Sequence, residues 1–217
     1  MLNKAWQWRD LVALLIGLLL ATLILAARDA RASLFEPDIF GARAAHSDNL
    51  KMFPKWRGAM TRFQKEIGDC PVAMCNKPSW KALIDGLKGA DLKTQLKKIN
   101  SVMNKHRYII DPINWNLPDY WATPFQFLRK NGDCEDYAIA KFLALRALGV
   151  SPDIMRIVVL NDLNLGLAHA ILVVTVDGTP LVLDNQIKGV VPASTIHHYQ
   201  PVYAVNDKGW WLYRTGS

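Results

Sequence analysis

Cys134 lies where a protein would place a nucleophile. It follows the turn Asn131-Gly132-Asp133 and begins a stretch of strong helix formers, CEDYAIAKFLALRAL, which predicts a helix over 134–148 that Gly149 ends. At the start of a helix, unpaired backbone N–H groups and the positive end of the helix dipole stabilise a thiolate. A cysteine without chemical function would more often lie in mid-helix among the apolar residues.

A histidine and an aspartate lie on two strands that the sequence predicts to be neighbours. His169 opens the strand pattern HAILVVTV, Asp184 closes the pattern LVLD, and Asp177-Gly178 between them indicates a hairpin turn. In the register that pairs Val176 with Thr179, the two side chains lie on the same face as diagonal neighbours, about 7–8 Å apart. A slip of one residue would separate them.

Cys134, His169 and Asp184 are the residue types of a nucleophile, a base and an orienting carboxylate. The same pattern also fits a structural histidine and an aspartate that caps a turn. Residue types and spacing alone leave both interpretations open.

The elements that must position these residues have an α+β order. Apolar residues at helical spacing predict three helices before Cys134, at 56–67, 80–87 and 91–104. The segment 111–124, with three prolines and three aromatic residues, predicts an ordered loop. Strand patterns follow the central helix at 154–160, 169–176, 181–184, 201–205 and 210–213. Helices packed on an antiparallel sheet are therefore expected.

Length and composition exclude several classes of protein. The chain has 217 residues, of which 51% are hydrophobic and 21% charged, with 3 Cys, which excludes a disordered tail, a collagen-like repeat and a disulfide-dense miniprotein. The formal net charge is +7, but no nucleic-acid-binding motif accompanies it. No linker divides residues 33–217, which predicts one domain there.

The N-terminus carries a predicted export signal over residues 1–32. Its apolar, uncharged run at 11–27 follows two basic residues and precedes Ala30-Arg31-Ala32, which fits a cleavage site before Ser33. The run is slightly shorter than the roughly 20 apolar residues of a spanning helix, so a cleaved signal peptide is favoured over a retained membrane anchor. In both cases the rest of the chain lies outside the cytoplasm.

The three cysteines divide into a close pair and a single residue. Cys70 and Cys75 are close enough in sequence to form a disulfide in an exported protein. Cys134 then remains a free thiol, which is either a buried small hydrophobe or a reactive group.

Four motifs in this order resemble the bacterial transglutaminase-like cysteine proteinases. They are WATP at 121–124, GDCEDYAIAK at 132–141, HAIL at 169–172 and LDN at 183–185. The similarity covers about residues 50–213, with one departure at Gln126, where an acidic residue is expected.

This resemblance implies a papain-like, transglutaminase-core fold and a catalytic triad of Cys134, His169 and Asp184. His169 would hold Cys134 as a thiolate and later protonate the leaving amine, and Asp184 would fix the imidazole tautomer. The backbone N–H of Cys134 would bind the oxyanion.

The resemblance also implies calcium, bound by the acidic residues that flank the nucleophile, Asp133, Glu135 and Asp136. Carboxylate oxygens are ligands that a hard cation prefers. From the residues alone, N-capping and interaction with the helix dipole are the simpler explanation of these carboxylates. A cation would also offset their charge, which otherwise raises the pKa of the adjacent thiol.

By the same resemblance, the protein would act in the periplasm on the N-terminal region of a large biofilm adhesin, at a paired-alanine site. It would be sequestered by an inner-membrane cyclic-di-GMP receptor through the receptor's periplasmic domain. Other functions remain open at this point. A transglutaminase or a peptidoglycan amidase would use the same acyl-thioester step, and a non-catalytic binding module could share the fold.

Overall fold

A computed structural model describes residues 39–69 and 77–215 of the chain. The predicted signal segment at 1–32 and the proposed disulfide partners Cys70 and Cys75 lie outside these residues, so they stay predictions, as does the domain boundary at 33. In the described part of the chain, no helix is long and apolar enough to cross a bilayer.

Six α-helices occur within the described residues. They are α1 (Pro54–Asp69), α2 (Lys77–Asp85), α3 (Leu92–Met103), α4 (Asp111–Asn114), α5 (Pro124–Lys130) and α6 (Cys134–Ala147). The predicted helices at 56–67, 80–87, 91–104 and 134–148 are confirmed, with ends that differ by a few residues. Helix α3 begins where its N-cap Asp91 accepts a hydrogen bond from Thr94 N at 3.0 Å.

Two short helices correct the prediction for the segment around 111–130. The predicted loop contains one helical turn, α4, which Pro112 permits because a proline at the start of a helix loses no intrahelical hydrogen bond. Helix α5 has no counterpart in the prediction. Thr123 caps it, because its side-chain oxygen accepts a hydrogen bond from Gln126 N at 3.2 Å. In return, Oε1 of the Gln126 side chain accepts a hydrogen bond from Thr123 N at 2.9 Å. Gln126 thus has a capping role without the expected negative charge.

Seven strands form one antiparallel sheet in the order β1-β7-β6-β2-β3-β4-β5. They are β1 (Ala42–Ser47), β2 (Met155–Asp162), β3 (Leu167–Val176), β4 (Thr179–Leu183), β5 (Val191–Pro192), β6 (Tyr199–Val205) and β7 (Trp210–Thr215). The five predicted strands correspond to β2, β3, β4, β6 and β7. The edge strands β1 and β5 were not predicted, because one is a polar, alanine-rich segment and the other has two residues.

The hairpin of β3 and β4 has the register that the sequence analysis required. Val176 pairs with Thr179, and the turn residues Asp177 and Gly178 both have positive φ values, +50° and +76°, as a two-residue hairpin turn needs. Leu172 pairs with Leu183 at the end of the ladder. His169 and Asp184 therefore point to the same side of the hairpin.

Helix α6 is buried along most of its length between the sheet and the other helices. Ten consecutive residues from Asp136 to Leu145 are buried, and apolar residues of α6 share one core cluster with Leu172 and Val174 of β3. Side chains that alternate with these along β3, such as Ile171 and Val173, form a second cluster on the other face of the sheet. The α+β prediction is confirmed, and Cys134 is placed at the amino end of a helix that packing holds firmly.

Candidate active site

Cys134 is the first residue of α6, and it lines a cavity of about 290 Å³ together with His169. The thiol donates a hydrogen bond to Glu135 Oε2 at 3.1 Å. Among the described residues it is the one free cysteine.

The surroundings of Cys134 oppose ionisation of its thiol. Burial raises the pKa of the thiol, and the negative charges of Glu135 and Asp133 raise it further, whereas a hydrogen bond from the Ala170 backbone acts in the opposite direction. The helix start favours a thiolate, but burial and the carboxylates on either side of Cys134 together outweigh it as long as the carboxylates are ionised and uncompensated.

His169 and Asp184 form a buried, hydrogen-bonded pair. His169 Nε2 lies 2.9 Å from Asp184 Oδ1, Tyr199 donates to Asp184 Oδ2 at 2.6 Å, and the Gln186 backbone N–H donates to Oδ1 at 2.9 Å. Burial raises the pKa of Asp184, but the bonds from His169, Tyr199 and Gln186 outweigh it, and the pKa is lowered overall. Asp184 is thus held as a carboxylate.

This pairing determines which nitrogen of His169 can act as a base. Because Nε2 donates to Asp184, the neutral imidazole carries its lone pair on Nδ1. Gln186 Nε2 approaches Nδ1 at 3.5 Å, so the amide helps to hold the ring in place. The structure therefore brings His169 and Asp184 into contact and places His169 and Cys134 in one cavity.

Lys141 lies on α6 two turns after Cys134 and is fully buried near the His169–Asp184 pair. Its Nζ donates to the Leu183 backbone oxygen at 3.4 Å, next to Asp184. Burial lowers the pKa of Lys141 to about 7, and the charge of Asp184 opposes that shift. The sequence signal was the single lysine that ends the motif GDCEDYAIAK, to which no role had been assigned.

The acidic residues near Cys134 form two overlapping groups that share Asp111. Oxygen atoms of Asp111, Asp133 and Asp136 lie within 4.8 Å of one another, and so do those of Asp111, Asp119 and Glu135. The three predicted metal ligands are therefore divided between the groups. Asp111 and Asp119 were missed, since they lie more than ten residues away in sequence, in a proline-rich segment predicted only as a loop.

The first group contains carboxylate oxygens without partners. Oδ1 of Asp111 and Oδ1 of Asp133 are buried with no hydrogen-bond partner in the described part of the chain. Burial, with the charges of Glu135 and Asp111, raises the pKa of Asp133 to about 8, and burial raises that of Asp111 to about 6. Carboxylates this close keep their negative charge only at a cost in free energy unless a cation or protons compensate them.

Asp136 has a different role from Asp111 and Asp133, the other members of the first group. Its Oδ1 accepts a hydrogen bond from Ala122 N at 2.6 Å and its Oδ2 accepts one from Asp133 N at 3.4 Å. Gly132 is required beside it, because a Cβ at that position would lie 2.1 Å from Asp136 Oδ2. Asp136 thus joins the start of α6 to the segment before α5.

The chain matches a family model described as the bacterial transglutaminase-like cysteine proteinases over residues 68–214. It belongs to this family. The family match, together with the solved structures below, establishes the chain as a cysteine peptidase with a transglutaminase-like fold. The transglutaminase, amidase and non-catalytic alternatives are therefore disfavoured.

Solved structures of LapG from Legionella pneumophila are similar to this chain. One has 41% sequence identity and a TM-score of 0.57, covering 62% of this chain and 76% of LapG. Calcium-bound LapG has 37% identity and a TM-score of 0.59, covering 71% and 87%, and an EGTA-treated form has 41% identity, a TM-score of 0.58 and coverage of 64% and 76%. No curated protein matches the chain.

The first prediction concerns the stability cost of Lys141. Its pKa of about 7 in the folded protein lies below the value of about 10.4 in an unfolded chain, so the unfolded state binds more protons between these values and is favoured as the pH falls. Lys141→Met should therefore raise the free energy of unfolding by about 1–4 kcal/mol near pH 7. The gain should shrink as the pH approaches about 10.

Urea denaturation at both pH values measures this difference. Lys97→Met, at an exposed position of α3, is the matched control and should leave the free energy of unfolding unchanged. A Lys141→Met protein that is less stable than wild type at neutral pH would show that the lysine stabilises the fold instead.

Proposed function

We propose that this protein is a calcium-dependent cysteine endopeptidase of the periplasm that cleaves the N-terminal region of a large biofilm adhesin and releases the adhesin from the cell surface. One observation carries the catalytic part. Cys134 begins a helix and shares a cavity with His169, whose far nitrogen is bonded to a buried Asp184. The adhesin substrate, the periplasmic location and the release of the adhesin are inferred from the family resemblance of the sequence motifs.

The proposed reaction begins with transfer of the thiol proton to His169 Nδ1. The thiol now donates to Glu135 Oε2, so it has to turn away from Glu135 before it can reach the imidazole. Asp184 holds Nε2–H and stabilises the imidazolium that forms. Tyr199 and Gln186 keep Asp184 in place and ionised during this step.

The Cys134 thiolate then attacks the carbonyl carbon of the scissile peptide bond. The oxyanion lies against the backbone N–H of Cys134 at the amino end of α6, where N–H groups have no intrahelical partner. The imidazolium donates its proton to the leaving amine, the C–N bond breaks, and an acyl-thioester remains on Cys134. Water, deprotonated by His169, releases the carboxylic acid and restores the thiol.

The acidic groups fit a hard cation that binds oxygen. Asp111 and Asp133 each have a buried carboxylate oxygen without a partner in the described part of the chain. Glu135, which accepts the hydrogen bond of the thiol, has a carboxylate oxygen within 4.8 Å of one of Asp111. These three residues, with Asp119 and Asp136 beside them, would hold calcium, and a calcium-bound form of the similar LapG supports this proposal. Bound calcium would supply positive charge that offsets the carboxylates around Cys134.

Regulation by an inner-membrane cyclic-di-GMP receptor is part of the same proposal and rests on the family resemblance. Exposed apolar side chains near the catalytic cavity are compatible with a protein partner. Leu163, Leu165 and Leu167 in and after the β2–β3 turn are 61%, 57% and 65% exposed, and Leu167 lies two residues before His169. A cluster of exposed leucines is a common feature of surfaces that bind other proteins.

The second prediction concerns the nucleophile and its base. Cys134→Ala and His169→Ala should each abolish cleavage of a purified adhesin N-terminal fragment, because the first variant has no thiol and the second has no base to take its proton or to protonate the leaving amine. Electrophoresis of the fragment measures cleavage, and circular dichroism checks that the variants fold. His197→Ala removes an exposed histidine and should cleave as wild type does. Full cleavage by Cys134→Ala would refute the proposed reaction.

The third prediction separates calcium binding from helix capping at Asp133. Asparagine caps a helix about as well as aspartate, but Asp133→Asn removes a carboxylate that a bound cation would keep ionised. Its calcium affinity should fall by about tenfold or more, since charged ligands contribute strongly to calcium binding. Without calcium its thermal stability should equal or exceed that of wild type.

Isothermal titration calorimetry measures the affinity, and thermal unfolding with a chelator measures the stability. Asp162→Asn, a buried aspartate outside the acidic groups, is the matched control and should bind calcium as wild type does. Unchanged affinity in Asp133→Asn would return Asp133 to a capping role.

A further inference from the structure

A second cavity, apolar and aromatic, adjoins the catalytic cavity. Its volume is about 450 Å³, and its main lining residues are Met52, Phe53, Trp56, Trp121, Tyr203 and Trp210. Two of them, Trp121 and Tyr203, also line the cavity that contains Cys134 and His169. The two cavities therefore adjoin at these two side chains, and together they are called the groove below.

The sheet supplies the floor of this groove. Val159 of β2 pairs with Ala170 of β3 on one side and with Tyr203 of β6 on the other, so these three residues form a row across the sheet. All three line the catalytic cavity. The next strand, β7, contributes Trp210, whose partner on β6 is Val205. The groove thus runs across the strands from the His169 end of β3 to β7.

The walls of the apolar cavity belong to well-packed elements. Phe53, just before α1, packs against Tyr203 and Trp210 with ring centroids 5.3 Å apart in each case. Trp121 is buried on the other side, and its backbone oxygen accepts a hydrogen bond from Arg62 Nη2 at 2.6 Å. Met52 is 74% exposed at the edge of the cavity. The cavity is therefore formed before any ligand arrives.

An ion pair links the two cavities at the surface. Lys55 lines the apolar cavity, Asp119 lines the catalytic cavity, and Lys55 Nζ is paired with the Asp119 carboxylate. The pair lies at the junction of the two cavities, so it marks the side of the groove that faces solvent. Polar groups at the edge and aromatic rings inside suit a polypeptide that buries one apolar side chain.

Strand spacing gives the distance from β3, which lines the catalytic cavity, to the strands that line the apolar cavity. Adjacent strands are about 4.8 Å apart, so β6 and β7 lie about 10 and 14 Å from β3 across the sheet. An extended peptide advances by about 3.3 Å per residue. A side chain in the apolar cavity would belong to a residue about three or four positions from the bond that Cys134 attacks.

We propose that the apolar cavity is a substrate subsite, which binds a large apolar side chain of the substrate polypeptide three or four residues from the scissile bond. This inference rests on the proposed peptidase reaction and adds a specificity determinant to it. Burial of a phenylalanine or leucine side chain in such a cavity should improve kcat/KM about 10- to 100-fold over a serine at the same position.

The fourth prediction tests the subsite with a series of synthetic peptides. Each peptide contains the paired-alanine site in a serine and glycine background, with one phenylalanine placed in turn at five positions on either side. The ratio of kcat/KM to that of the peptide without phenylalanine should peak at the third or fourth residue on one side of the cleaved bond. A flat profile would overturn the proposal and leave the peptidase itself in place.

Substitutions in the cavity connect this preference to the proposed residues. Met52→Ala and Trp210→Ala should reduce the phenylalanine-to-serine ratio towards one, and a ratio is independent of the fraction of each variant that is folded. Ile113→Ala is the matched control, because Ile113 is 76% exposed and lines neither cavity. A ratio that stays at the wild-type value in both cavity variants would also overturn the proposal.

A binding measurement separates failure of the subsite from failure of the proposed function. Fluorescein-labelled peptides of the same series are titrated with Cys134→Ala protein, and their anisotropy gives the dissociation constants. If no peptide is cleaved, the proposed reaction fails. The subsite would still be supported if the phenylalanine peptide binds more tightly than the serine peptide and if Met52→Ala, added to the Cys134→Ala protein, removes this difference. Equal dissociation constants for the phenylalanine and serine peptides would refute the subsite.

Discussion

Glu135 accepts the hydrogen bond of the same thiol that His169 would deprotonate in the proposed reaction. Burial of the thiol, this contact and the nearby charge of Asp133 together determine whether the amino end of α6 favours a thiol or a thiolate. The helix dipole and the Ala170 N–H favour the thiolate, and burial and the carboxylates oppose it. A cysteine protease with this sequence therefore needs something that draws the charge of Glu135 away from the sulfur.

The rest of the fold holds the thiol, the carboxylates and His169 in place. Asp136 Oδ1 accepts a hydrogen bond from Ala122 N, which ties α6 to the segment before α5, and Gly132 leaves room for the rest of this carboxylate. The β3–β4 register brings His169 to Asp184. Lys141 is the one buried cation among the described residues of α6, and its charge interacts with that of Asp184.

Local patterns were sufficient to predict the parts of the site that local structure determines. The helix pattern that begins at Cys134 predicted that this residue is the first of a helix. The Asp-Gly turn and the strand periodicity predicted the register that places His169 beside Asp184. The acidic site was predicted only in part. Asp111 and Asp119 reach Asp133 and Glu135 through the path of an irregular, proline-rich segment, and no periodicity encodes such a path. The edge strand β1 was missed for a related reason, because its pairing with β7 comes from tertiary contacts and not from its own polar sequence.

The most direct test of this account measures the reactivity of Cys134 itself. The rate of its alkylation by iodoacetamide is followed near neutral pH by mass spectrometry of the peptide that contains Cys134, with calcium and with a chelator at equal ionic strength. Because a fall of one unit in the thiol pKa gives about tenfold more thiolate, we expect alkylation to be about tenfold faster or more with calcium. Equal rates in the two conditions would contradict the account, since they would show that the carboxylates around Cys134 do not control its ionisation.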